Sequence, residues 1–253
     1  MTGVRILLRT FLRRDRWHLL GWGIAAALLY YTQAVSVDDL YATQAEFDRA
    51  AATMQHNAAF IALSGPPRAL NTIGGQVTWQ ATAFGAVVAG LMSMFLVGRH
   101  TRAEEESGRD ELVRAAAVGR HAPMTAALVT ALLANLVLGV LVALSLIAYP
   151  LAAADSWALG VGLTLCGWVY TGTALVAAQL TSSTRAMYGI AGAFIGLTYA
   201  LRAVGDVGSP VLTWLSPIGW YQAMHPFSGL LWWPALLLVT ASAVTAAAAY
   251  AVF

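Results

Sequence analysis

Side chains able to do chemistry are scarce in this chain, and ten of the 26 charged ones gather in one stretch. Residues 98–122 hold Arg99, Arg102, Glu104, Glu105, Glu106, Arg109, Asp110, Glu111, Arg114 and Arg120, five bases against five acids. Mixed charge at this density suits a specific docking groove on a partner protein, or simply a solvated loop. Elsewhere the inventory is thin. His18, His56, His100, His121 and His225 never fall at metal-ligand spacing with a carboxylate or a second histidine on one helix. Cys166 stands alone in an apolar run between Leu165 and Gly167, which rules out a disulfide framework and a cysteine metal site. Thr181, Ser182, Ser183 and Thr184 have no adjacent base to make a nucleophile, and with Arg185 they form turn chemistry. All 14 basic residues are arginine. That removes the lysine-dependent phosphate loop of nucleotide hydrolases and leaves any nucleotide chemistry to a partner. A formal net charge of +2 without a basic, aromatic-interleaved surface gives nucleic acid nothing to bind.

The elements that position these residues follow from composition. Of 253 residues, 59% are hydrophobic and 10% charged, against about 45–50% and about 25% in a soluble domain. So few charges cannot cover the outside of a water-soluble fold, and the apolar surface has to face lipid. The expected fold is an all-α integral membrane protein, because a helix is the open-chain structure that satisfies its own backbone in hydrocarbon. Six apolar runs, 17–37, 77–97, 123–151, 157–180, 186–204 and 234–253, approach the ~20 residues that a ~30 Å core demands. The first is too long, and lacks the small-residue cleavage site, for a signal peptide. No internal repeat or second soluble domain interrupts a single membrane domain over 1–253.

Ahead of the first span, Val4, Leu7, Leu8, Phe11 and Leu12 share one helical face while Arg5, Arg9, Arg13 and Arg16 recur on the other. This predicts an interfacial amphipathic helix over 1–16 whose arginines reach anionic headgroups. Segments 1–16, 98–122 and 181–185 carry 11 of the 14 arginines, and the opposite segments carry Arg49, Arg68 and Arg202. Both termini are therefore expected in the cytoplasm. Between the second and third spans, Ser107 with Asp110 resembles a capping box, Gly119 is a helix stop and Pro123 a helix start. A short cytoplasmic helix is predicted over 108–118. On the other side, Leu40, Ala45, Phe47, Ala51, Met54, Ala58 and Ile61 recur at helical intervals within 38–76, until Ser64, Gly65, Pro66 and Pro67 stop the pattern.

Segment 205–233 is broken by Pro210, Pro217 and Pro226 and rich in aromatics, so it is expected to form short interfacial or re-entrant pieces. Trp214, Pro217, Trp220, Tyr221 and Phe227 there are candidates for an outer gate, or form an ordinary interfacial aromatic belt. Gln33, Gln80, Asn135 and Gln179 are the notable polar residues within spans, suited either to interhelix hydrogen bonds or to lining a path. No aspartate or glutamate falls inside the spans as placed, which disfavours proton relays and ion-coupled transport.

The run Arg102-Ala-Glu-Glu-Glu-Ser-Gly-Arg-Asp-Glu-Leu-Val-Arg-Ala-Ala-Ala-Val-Gly-Arg120 resembles the loop of ABC-2 type exporter permeases, in the tetronasin-type antibiotic exporter branch. Ser64-Gly-Pro-Pro67 and Leu215-Ser-Pro-Ile-Gly-Trp-Tyr221 are similar to other stretches of that family, and with the helix order the resemblance covers most of the chain. It implies an N-terminal elbow helix, six spans per half, a coupling helix after the second span and short outer helices between the fifth and sixth. It further implies that Glu104, Glu105, Glu106, Arg109, Asp110, Glu111 and Arg114 engage a dimer of cytoplasmic ABC ATPase subunits, which use ATP and Mg while this chain binds no cofactor. The branch commonly fuses two six-helix halves. One is present here, so a second copy or a second half of a longer polypeptide is expected to complete the unit, in keeping with a chain that stops at Phe253 without a charged tail.

The function that the resemblance implies is a permease subunit of an ATP-driven exporter, multi-pass in a bacterial inner membrane, moving an apolar or amphipathic compound such as an antibiotic. Membrane lipids are its other expected partners. On the residues alone, two further classes stay open. A membrane-embedded lipid-acting enzyme needs a convergent nucleophile or metal cluster that the sequence does not display, and a non-catalytic assembly protein needs neither.

Overall fold

The computed structural model describes residues 3–108 and 119–253, and among these only helices, turns and loops occur. In chain order the helices are α1 (Val4–Leu40), α2 (Gln44–Met54), α3 (Ala58–Ser64), α4 (Ile73–His100), α5 (Arg102–Glu106), α6 (Ala122–Ala148), α7 (Ala153–Leu180), α8 (Thr184–Val207), α9 (Pro210–Thr213), α10 (Pro217–Gln222) and α11 (Trp233–Val252). Six of them, α1, α4, α6, α7, α8 and α11, are long and apolar enough to cross a membrane, and the chain is an all-α, six-span integral membrane protein. Their alternation places the start of α1, α5 and the turn before α8 at one, arginine-rich end. Helices α2, α3, α9 and α10 lie at the far end.

Apart from the start of the first, the span edges lie within four residues of those expected from the apolar runs. Caps set several of them. The Thr72 hydroxyl accepts from Gly75 N (3.1 Å) to open α4, and the Ser183 hydroxyl accepts from Ala186 N (3.2 Å) to open α8. Prolines occupy the first turns of α6, α10 and α11, where the missing amide is no loss.

Three elements differ from expectation. The amphipathic N-terminal stretch and the first span form one helix of 37 residues. No proline interrupts it, and its length of about 55 Å exceeds a ~30 Å hydrocarbon core, so the arginine-bearing turns extend past the apolar layer. The surface helix expected within 38–76 is split in two, because the Asn57 carboxamide accepts from Ala59 N and Phe60 N and so restarts the helix as α3. Helix α5 was not foreseen, and the cytoplasmic helix expected over 108–118 falls almost wholly outside the described residues.

The core is organised around α7, which packs against α4, α6, α8 and α11. Its approach to α6 is set by Gly139 and Gly160, where a Cβ on either residue would lie 2.3–2.4 Å from the other's carbonyl oxygen. One turn along, a buried polar seam joins three helices. Asn135 Nδ2 donates to Ser93 Oγ (2.9 Å), Ser93 Oγ donates to the Gly167 carbonyl (3.1 Å), and Thr164 Oγ1 donates to the Asn135 carbonyl (3.2 Å). Gly167 makes room for this, since a Cβ there would sit 1.9 Å from Asn135 Oδ1.

Gly160→Leu overpacks this crossing and is expected to cost about 1–3 kcal/mol. Asn135→Ala removes the interhelix donor at about 0.6–2 kcal/mol. Thermal melts of the detergent-solubilised chain check both, and an unchanged transition for Gly160→Leu would contradict the close approach.

Candidate functional site

Between α1, α3 and α4 at the far end lies a cleft of about 380 Å³, lined by Leu29, Gln33, Met54, Phe60, Leu63, Ser64, Trp79, Gln80, Ala81 and Phe84. Helical spacing builds each wall. Leu29 and Gln33 are four apart on α1, Gln80 and Phe84 four apart on α4, and Phe60 and Leu63 three apart on α3, so each pair shares a face. Gln33 Nε2 donates to Gln80 Oε1 across the cleft. Phe60 meets Trp79 edge to face, with ring centroids 6.2 Å apart. The volume falls in the range of small-molecule sites, and the composition matches them: apolar and aromatic walls with a few convergent polar groups. After the pair forms, the Gln80 amide still has donors and the Gln33 amide an acceptor to offer. These groups leave the cleft with hydrocarbon walls and neutral hydrogen-bonding capacity at one point.

Of the four amides picked from the spans, the structure therefore brings two together. Asn135 sits in the packing seam, and Gln179 is elsewhere, its Nε2 lying 3.6 Å from Met124 Sδ between α7 and α6.

At the arginine-rich end, the three described acids of the charge-dense stretch each reach a different partner. Glu104 pairs with Arg14 of α1. Glu105 pairs with Arg102, whose Nε donates to the Ala178 carbonyl at the end of α7. Glu106 accepts from Thr184 N (2.8 Å) and from Thr184 Oγ1 (2.7 Å), capping the first turn of α8. Three spans are thus tied to one five-residue helix. Arg109, Asp110, Glu111 and Arg114 lie outside the described residues.

Next to this clasp is a buried ionic group that the sequence reading missed. Asp15 is fully buried on α1, where it pairs with Arg99 Nη1 (2.9 Å) and with His100 Nε2 from the end of α4. The Phe11 ring stacks on the His100 ring at a centroid distance of 4.0 Å. A carboxylate does occur, then, in the helix that carries the first span. Its sequence signal was a lone acid among the arginines of residues 5–16.

A second buried pair stands at the far end. Arg202, assigned from sequence to an outer segment, lies inside α8 with no exposed surface, and its Nη1 is 3.4 Å from Asp206 Oδ2. Its Nη2 donates to the Leu63 carbonyl (3.0 Å), to which Tyr199 OH also donates (2.8 Å), and its guanidinium lies 4.5 Å from the Tyr199 ring centroid. An otherwise orphaned carbonyl at the end of α3 is satisfied in this way. The spacing of Arg202 and Asp206, one helical turn apart in an otherwise apolar run, was the available signal.

The aromatic candidates divide. Tyr221 is buried and its hydroxyl donates to the Leu159 carbonyl (2.9 Å), and burial holds its pKa well above the ordinary tyrosine value. Pro217 is buried in the first turn of α10. Phe227 adopts φ 60°, its amide donates to Asp155 Oδ1 (2.8 Å), and its ring packs where a Gly74 Cβ would be. Trp214 is exposed and stacks on Trp233 at 5.3 Å, while Trp220 Nε1 donates to the Trp214 carbonyl (2.8 Å). Tyr221, Pro217 and Phe227 anchor the far-end helices, and Trp214 stands at the surface.

Six helices long and apolar enough to cross a membrane, packed around a shared core, define a polytopic α-helical membrane protein. The chain is similar to a multidrug efflux system permease protein of Mycobacterium tuberculosis, 40% identical over 250 residues that take in 98% of this chain and 45% of that protein. It spans under half the length of the curated relative it matches. No protein-family model matches the chain.

Arg202→Met leaves Asp206 buried without its cation and is expected to cost about 3–5 kcal/mol, whereas Arg202→Met with Asp206→Leu is expected to recover most of that loss. Melting temperatures in detergent check the pair. A double variant no more stable than the single one would show that the ion pair is not the source of the loss.

Proposed function

We propose that the chain is one six-helix half of the membrane-spanning permease of an ATP-driven exporter, in the ABC-2 class and its tetronasin-type branch. The observation that carries this reading is the 40% identity, across almost the whole chain, to a protein named a multidrug efflux permease. The coverage of under half of that protein supports a second six-helix unit, either another copy of this chain or a second half. The cleft around Gln33 and Gln80 supports an apolar or amphipathic cargo, because its walls are hydrocarbon and its polar groups neutral. The setting is a bacterial inner membrane with both termini in the cytoplasm, as the arginine distribution supports.

In this reading a cytoplasmic ATPase dimer, using ATP and Mg, engages the stretch that begins at Glu104. Motion there passes to α1 through Arg14, to α7 through Arg102 and to α8 through Thr184. The chain is then a transport subunit rather than an enzyme.

Two measurements test this. Replacing Glu105 and Glu106 by glutamine and Asp110 by asparagine together is expected to lower the ATPase activity of the reconstituted complex with its motor, and unaffected activity would overturn the coupling assignment. Gln33→Leu with Gln80→Leu is expected to slow export of an amphipathic dye by about 2–10-fold at equal membrane abundance, the value of one or two hydrogen bonds. Unchanged export removes the cleft from the path.

A further inference from the structure

A second chamber opens at the far end, of about 260 Å³, between the turn that follows α3, the end of α8, and α9 and α10. Ser64 and Trp79 line both cavities and form the wall between them. That wall is pinned from both sides. Trp79 Nε1 donates to the Gly65 carbonyl (2.7 Å) and Gln222 Nε2 donates to the Ser64 carbonyl (2.8 Å). A Cβ on Gly65, whose φ is 111°, would lie 2.1 Å from Gln222 Nε2, so the wall closes only over a glycine.

Among the described residues, the charges around this chamber leave a single cation. Arg68 and Asp206 are the charged residues among those lining it. Asp206 is already neutralised by Arg202, and its other oxygen accepts from Thr213 Oγ1 (2.9 Å). His225 is held below its ordinary pKa, first by burial and then by the neighbouring Arg68, and is neutral at neutral pH. Arg68 itself is exposed at the lip and forms no ion pair among the described residues. Thr78 also lines the chamber, and its buried hydroxyl has no hydrogen-bond partner among the described residues.

Neutral hydroxyl and amide side chains such as Thr78, Thr82, Thr213 and Gln222 share the lining with rigid apolar ones, Pro66, Trp79, Pro210, Trp214 and Pro226. The volume falls just short of the ~300 Å³ at which drug-sized sites begin, so one compact polar group enters and a long tail stays outside. A place for that tail adjoins the mouth. Val207, Val211 and Leu215, on the segment that supplies Pro210 and Trp214, are each at least half exposed. Trp214, Trp232 and Trp233 are exposed on the same side, as expected at headgroup depth.

From this juxtaposition we infer that the chamber binds the phosphate or carboxylate headgroup of an amphiphile from the far leaflet, with Arg68 as its charge partner and the tail along Val207, Val211 and Leu215. An arginine fork matches either oxyanion in a bidentate manner. The site stands independently of the transport reading, because its test is binding to the chain itself.

The experiment is native mass spectrometry of the full chain in maltoside micelles, titrated with dodecyl phosphate. Saturable binding is expected, weakened about tenfold or more by Arg68→Ala and restored to within about threefold by Arg68→Lys. Arg68 is exposed, and equal melting temperatures would show that its variants are folded. Equal affinity in Arg68→Ala, or equally tight binding of dodecyltrimethylammonium, would overturn an anion site. Inorganic phosphate binding as tightly as dodecyl phosphate would overturn the amphiphile and point to a soluble anion.

Discussion

Helices in lipid gain nothing from hiding apolar surface, since the acyl chains are as apolar as leucine, so their association rests on close backbone packing and internal hydrogen bonds. Helix α7 meets that constraint along its length. It touches α6 through Gly139 and Gly160, leaves space at Gly167 for Asn135, and at Gly172 would clash with Thr245 of α11 if it carried a Cβ. Larger side chains at these places would push the neighbouring helices outward. With α7 fixed, α4 and α6 take defined positions around it, and α1 packs on the outside of α6 and α4. The lateral cleft is a consequence: α1 follows α6 more closely than α4, and α3 covers the gap that remains at the far end.

Both ends of the bundle use the same device in opposite settings. A buried aspartate is held by an arginine, and the group joins a span to a segment that does not cross the membrane. Asp15 binds the arginine-bearing part of α1 to Arg99 and His100, one step before α5. Asp206 holds Arg202 where its guanidinium can reach the carbonyl of Leu63 at the end of α3. A buried ion pair adds little net stability, yet losing one partner is costly because the other stays behind as an uncompensated charge. Such groups therefore keep their elements in one arrangement or release them altogether. Under the exporter reading, that makes the two ends natural places for discrete rather than graded movement.

The described part of the charge-dense stretch is better connected than a docking loop needs to be. Its acids cap α8 and pair with α1, while Arg102 caps the carbonyl end of α7. Helix ends carry unsatisfied backbone groups, and here side chains from one short helix satisfy the ends of two spans. Under the exporter reading, a partner protein pressing on this segment would meet a linkage already continuous with three spans.

Six spans, their edges other than the start of the first, and the segregation of arginine to one end were legible in the sequence because each depends on local composition: an apolar run of about 20 residues and a cap or proline at its ends. The mixed-charge stretch before the third span and the broken aromatic segment before the sixth were legible for the same reason. The pairing of Gln33 with Gln80, and the consignment of Asn135 and Gln179 to packing, depended on which helices are neighbours, which periodicity does not encode. Asp15 and Arg202 look like surface residues in a linear reading. Only the folded chain buries them, because their partners His100 and Leu63 are 85 and 139 residues away, brought near by the packing around α7. Length and hydropathy determine which segments enter the membrane. Close contact between distant helices decides which polar groups are paired, which are sealed, and where space remains for a ligand.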